Sequence, residues 1–106
     1  MKKQEESFLN ASDFGKDFTW GVSTAAYQIE GGHNTHGKGE SIWDRFTTKS
    51  NAILNGDKAT ISCDFFNKYK EDILLMKSMN INNFRFSISW PRILPNGIGE
   101  INNDGI

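Results

Sequence analysis

The amino-acid sequence predicts an α/β fold with parallel strands, on the basis of three periodic segments. Residues 19–24 and 83–90 alternate between apolar and small or polar side chains, which is typical of half-buried strands. Between them, residues 61–79 carry apolar side chains at every third or fourth position, which indicates a helix. A strand, a long loop, a helix and a second strand form one βα unit and the start of another. This order favours a parallel sheet.

The first predicted strand ends in small residues that are followed by polar side chains. The small residues, which allow a backbone or a ligand to approach closely, are Gly21, Ser23, Thr24, Ala25 and Ala26. Directly after them come Tyr27, Gln28 and Glu30. Ligands of α/β folds bind at the carboxyl ends of the strands. Because Gln28 offers two amide donors and an acceptor oxygen, it can bind two neighbouring sugar hydroxyls at once.

The predicted helix has one apolar face, and its ends carry capping residues. Thr60 or Ser62 is a candidate N-cap, and Asp64 in the first turn would suit the helix dipole. Asn80 is expected to end the helix in a left-handed conformation. Upstream, Ser41 is a candidate N-cap for a short helical turn. A helix with a single apolar face must pack on another element, and the next strand supplies it.

The second predicted strand differs in chemistry between its two faces. Phe84, Phe86 and Ile88 form an apolar face that is expected to lie under the helices. The opposite face carries Arg85 and two serines, and in a closed parallel barrel it would point into the lumen. A buried arginine is costly unless it is paired with an anion. The strand therefore predicts a carboxylate partner for Arg85 that no obvious position of the sequence provides, unless Arg85 lies in solvent on an edge strand.

Residues 18–32 and 84–93 carry two sequence signatures. The first fills every fixed position of a known pattern, with Phe18, Trp20, Gly21, Ser23, Ala25, Ala26, Tyr27, Gln28, Glu30 and Gly32. The second reads Phe-Arg-Phe-Ser-Ile-Ser-Trp-Pro-Arg-Ile. Both resemble family 1 glycoside hydrolases, the β-glucosidase family, whose N-terminal signature and second-strand motif they match. The resemblance covers residues 14–106.

The resemblance implies the N-terminal part, about two βα units, of a (β/α)8 TIM barrel. It also implies a retaining β-glycosidase for terminal β-D-glucosides, related β-glycosides or oligosaccharides, with one glutamate as nucleophile and another as acid/base. Gln28 would bind substrate, and Arg85 would lie beside the nucleophile. The family's Asn-Glu-Pro and Glu-Asn-Gly motifs, which carry these glutamates, do not occur in the sequence. No catalytic residue is therefore expected within it, and Glu30 is expected to form structural hydrogen bonds or ion pairs.

Length and composition narrow the possible classes of protein. A complete barrel takes about 250 residues, so 106 residues are expected to be the first part of a longer polypeptide. Its segments would be a polar leader at 1–13 and an incomplete barrel segment at 14–106. With 37% hydrophobic residues and a net charge of -1, the sequence lacks the basic excess of nucleic-acid binders and any apolar run for a membrane span. The polar N-terminus does not resemble a signal peptide, so a cytoplasmic location is expected, and no cofactor is implied.

The glycine-rich loop at 31–40 suggests a second function, nucleotide binding by an α/β domain. Gly32, Gly37 and Lys38 have the spacing of a phosphate-binding loop. The next position must carry a hydroxyl that reaches Mg²⁺, and Gly39 has none. Nucleotide binding is therefore a weaker interpretation than glycoside hydrolysis.

The sequence allows two further interpretations, a metal site and a non-catalytic carbohydrate-binding module. Glu30, His33 and His36 are potential ligands, but nothing in this loop holds their side chains on one face, so no metal site is expected. A module would use Gln28 and the tryptophans to bind sugar. It would also need a closed fold, which two strands and one full helix do not provide.

Overall fold

The computed structural model describes residues 8–106, which form one long helix, three short helices, single turns and two strands joined by long loops. The regular elements in chain order are β1 (Gly21–Ser23), α1 (Ala26–Ile29), α2 (Ile42–Phe46), α3 (Phe65–Ser78), β2 (Asn83–Arg85) and α4 (Trp90–Ile93). Single turns of 3₁₀ helix lie at Ala11–Phe14, Leu54–Gly56 and Asn103–Gly105. Of the predicted polar leader, residues 1–7 lie outside the described residues.

The two strands pair in parallel, as the order of elements predicted. The register aligns Val22 with Phe84 and Ser23 with Arg85. Both strands are shorter than predicted, because a strand is defined by its ladder and the sheet has two strands within residues 8–106. Residues 86–89 form neither helix nor strand, although their sequence alternates as a strand does.

Helix α3 begins later than its apolar period predicted. Ser62 and Asp64 have φ angles of 52° and 55°, and this left-handed conformation cannot continue a right-handed helix. The backbone N–H of Asp64 donates to the carbonyl of Ile61 at 2.9 Å and closes a separate turn. The prediction that Thr60 or Ser62 caps the helix is therefore wrong, and Asp64 occupies the N-cap position instead of the first turn.

The end of α3 agrees with the sequence. Asn80 has a φ angle of 58°, the left-handed conformation predicted for it. The N–H of Ile81 donates to the carbonyl of Met76 at 3.0 Å, which is the outer bond of a Schellman motif. Asn80 thus ends the helix and turns the chain toward β2.

The apolar face of α3 packs against β2, as expected for a helix with one apolar face. The rings of Phe65 and Phe84 lie 6.0 Å apart, and those of Phe84 and Phe86 lie 5.4 Å apart. Contact with the helix covers Phe84 in part, but Phe86 remains 60% exposed and Ile88 69% exposed. This apolar face is therefore only partly covered within residues 8–106.

Helix α2 begins at the serine that the sequence predicted. The hydroxyl of Ser41 accepts from the N–H of Asp44 at 3.1 Å, and the carboxylate of Asp44 accepts from the N–H of Ser41 at 2.8 Å. This reciprocal pair is a capping box, which satisfies two donors at the start of the helix. The capping prediction for Ser41 is confirmed.

Apolar side chains do not form a closed core in the described part of the chain. No hydrophobic residue among 8–106 is buried. The Cα radius of gyration is 19.3 Å, compared with about 13 Å for a compact domain of this length. Within the same residues, no helix is long and apolar enough to cross a membrane.

We expect the 106-residue chain, expressed by itself, to lack a cooperative thermal unfolding transition. Burial of apolar surface is the main favourable term in folding, and this chain buries too little of it to offset the conformational entropy of ordering. Circular dichroism on heating and the dispersion of amide proton resonances would test this expectation. A sharp transition with dispersed resonances at low protein concentration would contradict it.

Candidate functional site

The chain segments that leave β1 and β2 lie side by side at one edge of the sheet. The N–H of Thr24 donates to the carbonyl of Arg85 at 2.9 Å. Two residues later, the N–H of Ala26 donates to the hydroxyl of Ser87 at 2.7 Å. Because the strands are parallel, both segments leave the sheet at its carboxyl edge, which is where α/β folds bind ligands.

Arg85 lies on β2, in register with the small residue Ser23. In a parallel pair, residues in register point to the same face of the sheet, so Arg85 and Ser23 share the face opposite to Phe84. Arg85 is exposed, and no carboxylate among residues 8–106 pairs with it. Arg85 therefore lies on the face of β2 where the sequence predicted it. The carboxylate expected to pair with its guanidinium is not among the described side chains.

Gln28 lies on α1, directly after β1. Its N–H donates to the carbonyl of Ala25 at 3.0 Å, and its own carbonyl accepts from the hydroxyl of Ser62. The backbone of Gln28 is therefore held, whereas its side chain is exposed and makes no hydrogen bond to another described residue. An amide with a fixed backbone and free donors is suited to bind a ligand. The side chains of Gln28 and Arg85 make no hydrogen bond to each other.

A cleft of about 320 Å³ lies between α1, α2 and the segment that follows β2. Its wall includes the side chains of Tyr27, Glu30, Trp43, Ser87, Ser89 and Trp90. The rings of Tyr27 and Trp43 are stacked with centroids 5.8 Å apart, which packs α2 against α1. Neither Gln28 nor Arg85 lines this cleft.

Arg92 is a buried residue that the sequence analysis did not single out. It is only 3% exposed. Its Nε donates to the carboxylate of Glu30 at 2.9 Å, and its Nη2 donates to the carbonyls of Gly31 and Gly32 at 3.1 and 3.4 Å. The guanidinium also lies 4.1 Å from the centroid of the Phe66 ring. The prediction that Glu30 forms a structural ion pair is thus confirmed.

Lys38, the candidate phosphate ligand, is bound within the protein. Its ammonium donates to the carboxylate of Asp44 at 2.8 Å and to the carbonyls of His33 and Gly39 at 3.2 and 3.1 Å. An ammonium has three protons, so these three acceptors use all of them. Lys38 therefore has no donor left for a phosphate, which removes the main support for nucleotide binding.

The carboxylate of Asp44 contacts both the start of its own helix, α2, and the ammonium of Lys38. Burial alone would raise the pKa of Asp44, but hydrogen bonds from Lys38 and Ser41 outweigh burial and lower that pKa below its ordinary value. The side chains of Lys38 and Asp44 are 7% and 13% exposed. The pair ties the glycine-rich loop to the start of α2.

Comparisons with known proteins assign the chain to a family. A model of glycosyl hydrolase family 1 matches residues 10–106. This chain belongs to that family. The resemblance found in the two sequence signatures is thereby confirmed over nearly the whole length of the chain.

The curated relatives come from bacteria, plants and an insect, and three bacterial glycosidases are compared with the chain below. The chain is 54% identical over 93 residues to β-glucosidase A of Acetivibrio thermocellus and 45% identical over 98 residues to β-glucosidase A of Thermotoga maritima. It is 47% identical over 93 residues to an aryl-phospho-β-D-glucosidase of Bacillus subtilis. These alignments cover 88%, 92% and 88% of the chain and 21%, 22% and 20% of the relatives. The chain thus spans about a fifth of the length of the curated relatives it matches.

Solved structures of Thermotoga maritima β-glucosidase superpose on the chain with a TM-score of 0.81 at 47% identity. These structures include complexes with noeuromycin and with deoxynojirimycin. Each match covers 87% of this chain and 21% of the solved chain. These enzymes are TIM barrels, and the chain matches their N-terminal part, which confirms the predicted fold class.

Asp44→Asn should lower the stability of the folded protein and remove part of the dependence of that stability on pH. We define the chimera as Thermotoga maritima β-glucosidase A in which residues 10–106 of this chain replace the matching segment. Because the pKa of Asp44 is lowered by folding, its carboxylate stabilises the chimera above the unfolded pKa of about 3.9, and the contribution is lost as the pH falls through the folded value. At pH 7, Asp44→Asn leaves the ammonium of Lys38 buried without its anion. The substitution should therefore lower the free energy of unfolding of the chimera by about 3 kcal/mol.

The measurement is the unfolding temperature of the two chimeras between pH 3 and pH 7. The difference between them should be largest at neutral pH and should narrow below about pH 4. Glu40→Gln is the control, because Glu40 pairs with Arg45 at 3.3 Å on the surface, with side chains 57% and 78% exposed. A constant difference across the pH range would contradict the role given to Asp44.

Proposed function

We propose that this chain forms the first two βα units of a retaining β-glycosidase that hydrolyses terminal β-D-glucosides or related β-glycosides. The observation that carries the proposal is the family match over residues 10–106, together with β-glucosidases at 45–54% identity among its relatives. In such a barrel, the carboxyl ends of β1 and β2 line part of the mouth that holds the substrate.

In this proposal Gln28 binds the sugar that is cleaved from the glycoside. Its amide has free donors and a free acceptor, and its backbone is held at the carboxyl edge of β1. One amide can pair with two adjacent hydroxyls. Hydrogen bonds between glycosidases and sugar hydroxyls strengthen in the transition state, so this contact would contribute to rate as well as to affinity.

Arg85 is proposed to lie beside the carboxylate nucleophile, which another part of the protein supplies. The guanidinium is exposed on the lumen-facing side of β2 and is not paired with a described carboxylate. A cation there would hold the nucleophile ionised and lower its pKa. In a retaining enzyme the nucleophile stands about 5–5.5 Å from the acid/base.

The chain by itself is proposed to be inactive. Its sequence contains neither the Asn-Glu-Pro nor the Glu-Asn-Gly motif, so both carboxylates of the retaining mechanism must come from other residues of the enzyme. The sugar-binding module is a weaker proposal, because residues 8–106 bury no hydrophobic side chain that would support an independent binding domain.

A phosphorylated sugar is a second candidate substrate. The aryl-phospho-β-D-glucosidase of Bacillus subtilis matches this chain about as well as the β-glucosidases do, at 47% identity. The 6-phosphate of a phosphorylated glucoside would need a cationic or amide-rich site, and relatives of both kinds align with 88–92% of this chain. The alignments over this segment therefore do not distinguish between the free and the phosphorylated glucoside as substrate.

The chimera tests the proposal directly. It should hydrolyse p-nitrophenyl β-D-glucoside, and the isolated 106-residue chain, prepared in the same host strain, should not. A folded chimera without activity would show that this segment cannot complete a β-glucosidase site. Assays with the 6-phosphorylated glucoside, using the Bacillus subtilis enzyme as a second recipient of the segment, would test the alternative substrate.

Gln28→Ala in the chimera should lower kcat/KM for the glucoside by about 10–100-fold. The variant loses contacts that strengthen in the transition state, so kcat should fall as well as affinity. Its pH–rate profile should keep the same shape, since Gln28 carries no charge. Asn96→Ala, which removes an exposed amide from a turn, should change neither constant and serves as the control. An unchanged kcat/KM in Gln28→Ala would rule out the proposed contact.

Arg85→Lys should lower kcat and also move the acid limb of the pH–rate profile to higher pH. Lysine keeps the charge but loses the planar fork, so the nucleophile is stabilised less well and its pKa rises. Arg45→Lys makes the same change at an exposed ion pair and should leave the profile in place. If Arg85→Lys and Gln28→Ala both raised KM alone and gave identical pH–rate profiles, the assignment of separate roles to Arg85 and Gln28 would be wrong.

A further inference from the structure

Helix α1, which carries Gln28, is too short to hold its own position. It comprises four residues, Ala26–Ile29. The first turn of a helix is unfavourable to form, and isolated helices shorter than about 12–15 residues are marginal in water. The position of the Gln28 side chain must therefore depend on contacts between α1 and other parts of the chain.

Hydrogen bonds to distant residues hold both ends of α1, in addition to the bond from the Ser62 hydroxyl to the Gln28 carbonyl. At its start, the N–H of Ala26 donates to the Ser87 hydroxyl at 2.7 Å. At its end, Glu30 is the C-cap residue, and its carbonyl accepts from the N–H of Phe66 at 3.0 Å. The carboxylate of Glu30 accepts from Nε of Arg92 at 2.9 Å.

Arg92 has the most extensive contacts with this region. Its guanidinium contacts three consecutive residues after α1, namely the Glu30 carboxylate and the Gly31 and Gly32 carbonyls. The Phe66 ring covers it at 4.1 Å from guanidinium carbon to centroid. The Arg92 side chain is 4% exposed and the Glu30 side chain 18% exposed, so solvent screens the pair little.

We propose that Arg92 is a positioning residue that sets the orientation of Gln28 through Glu30, Gly31 and Gly32. The inference rests on the proposed function, since it assigns to Arg92 a role in the sugar contact of Gln28. A planar fork with donors at fixed angles can hold a carboxylate and two carbonyls at once. Lysine at this position keeps the charge opposite Glu30 but cannot reproduce the spread of the three bonds, so the end of α1 would shift.

A double-mutant cycle in the chimera separates positioning of Gln28 from general support of the fold. Arg92→Lys should lower kcat/KM for p-nitrophenyl β-D-glucoside about tenfold when Gln28 is present. In the Gln28→Ala background the same change should alter kcat/KM by less than about twofold, because the contact that Arg92 positions is already lost. Arg45→Lys, at the exposed ion pair with Glu40, should have no effect in either background.

The outcomes distinguish the inference from the proposed function. A parent chimera that folds but has no activity counts against the proposed function, whereas an active parent with equal losses in both backgrounds overturns the role of Arg92 alone. The role of Arg92 is also overturned if Arg92→Lys does not lower kcat/KM in the chimera that retains Gln28. If Arg92→Lys does not fold, Glu30→Gln replaces it under the same criteria, since glutamine keeps an acceptor without the charge. Failure of both to fold overturns the inference, because the pair would then be required for folding itself.

Discussion

A buried guanidinium holds the end of the chain segment that leaves β1. Arg92 lies 62 positions after Glu30 in the sequence, and its hydrogen bonds link the end of α1 to the segment after β2. Charges taken out of water are stable only when paired and hydrogen-bonded, and removing one partner of a buried pair costs about 3–5 kcal/mol. The position of α1 therefore depends strongly on this pair.

Polar contacts of this kind link distant segments of the described residues, whose apolar side chains form no closed core. The pair of Lys38 and Asp44 ties the glycine-rich loop to α2, and Asn102 donates to the carbonyls of His36 and Arg92 at 2.7 and 2.9 Å. The apolar face around Phe86 and Ile88 remains open. The loops at the carboxyl edge of the sheet have fixed backbones, and the apolar face on the outer side of the sheet is uncovered. Both features are expected of a barrel that other strands and helices complete.

The sequence predicted those features that depend on local chemistry. Alternation and helical period identified the parallel pair and α3, and the capping rules identified Ser41 and Asn80 at helix ends. The start of α3 was misplaced, because the apolar period runs through Ser62 and Asp64 although their backbones are left-handed. Arg92 was missed for a related reason. Arginine is rarely fully buried, so no local pattern could show that tertiary contacts with Glu30, Gly31, Gly32 and Phe66 would bury it.

The long separation between Glu30 and Arg92 has a consequence for the order of folding. The contact closes a loop of about 60 residues, and such closure must be offset by contacts that form with it. During synthesis, the turn that bears Gln28 leaves the ribosome well before Arg92, so it has no fixed conformation until the second strand and the segment after it have emerged. This part of the proposed sugar site is therefore expected to be ordered late, as the barrel assembles, and not when its own residues are first made.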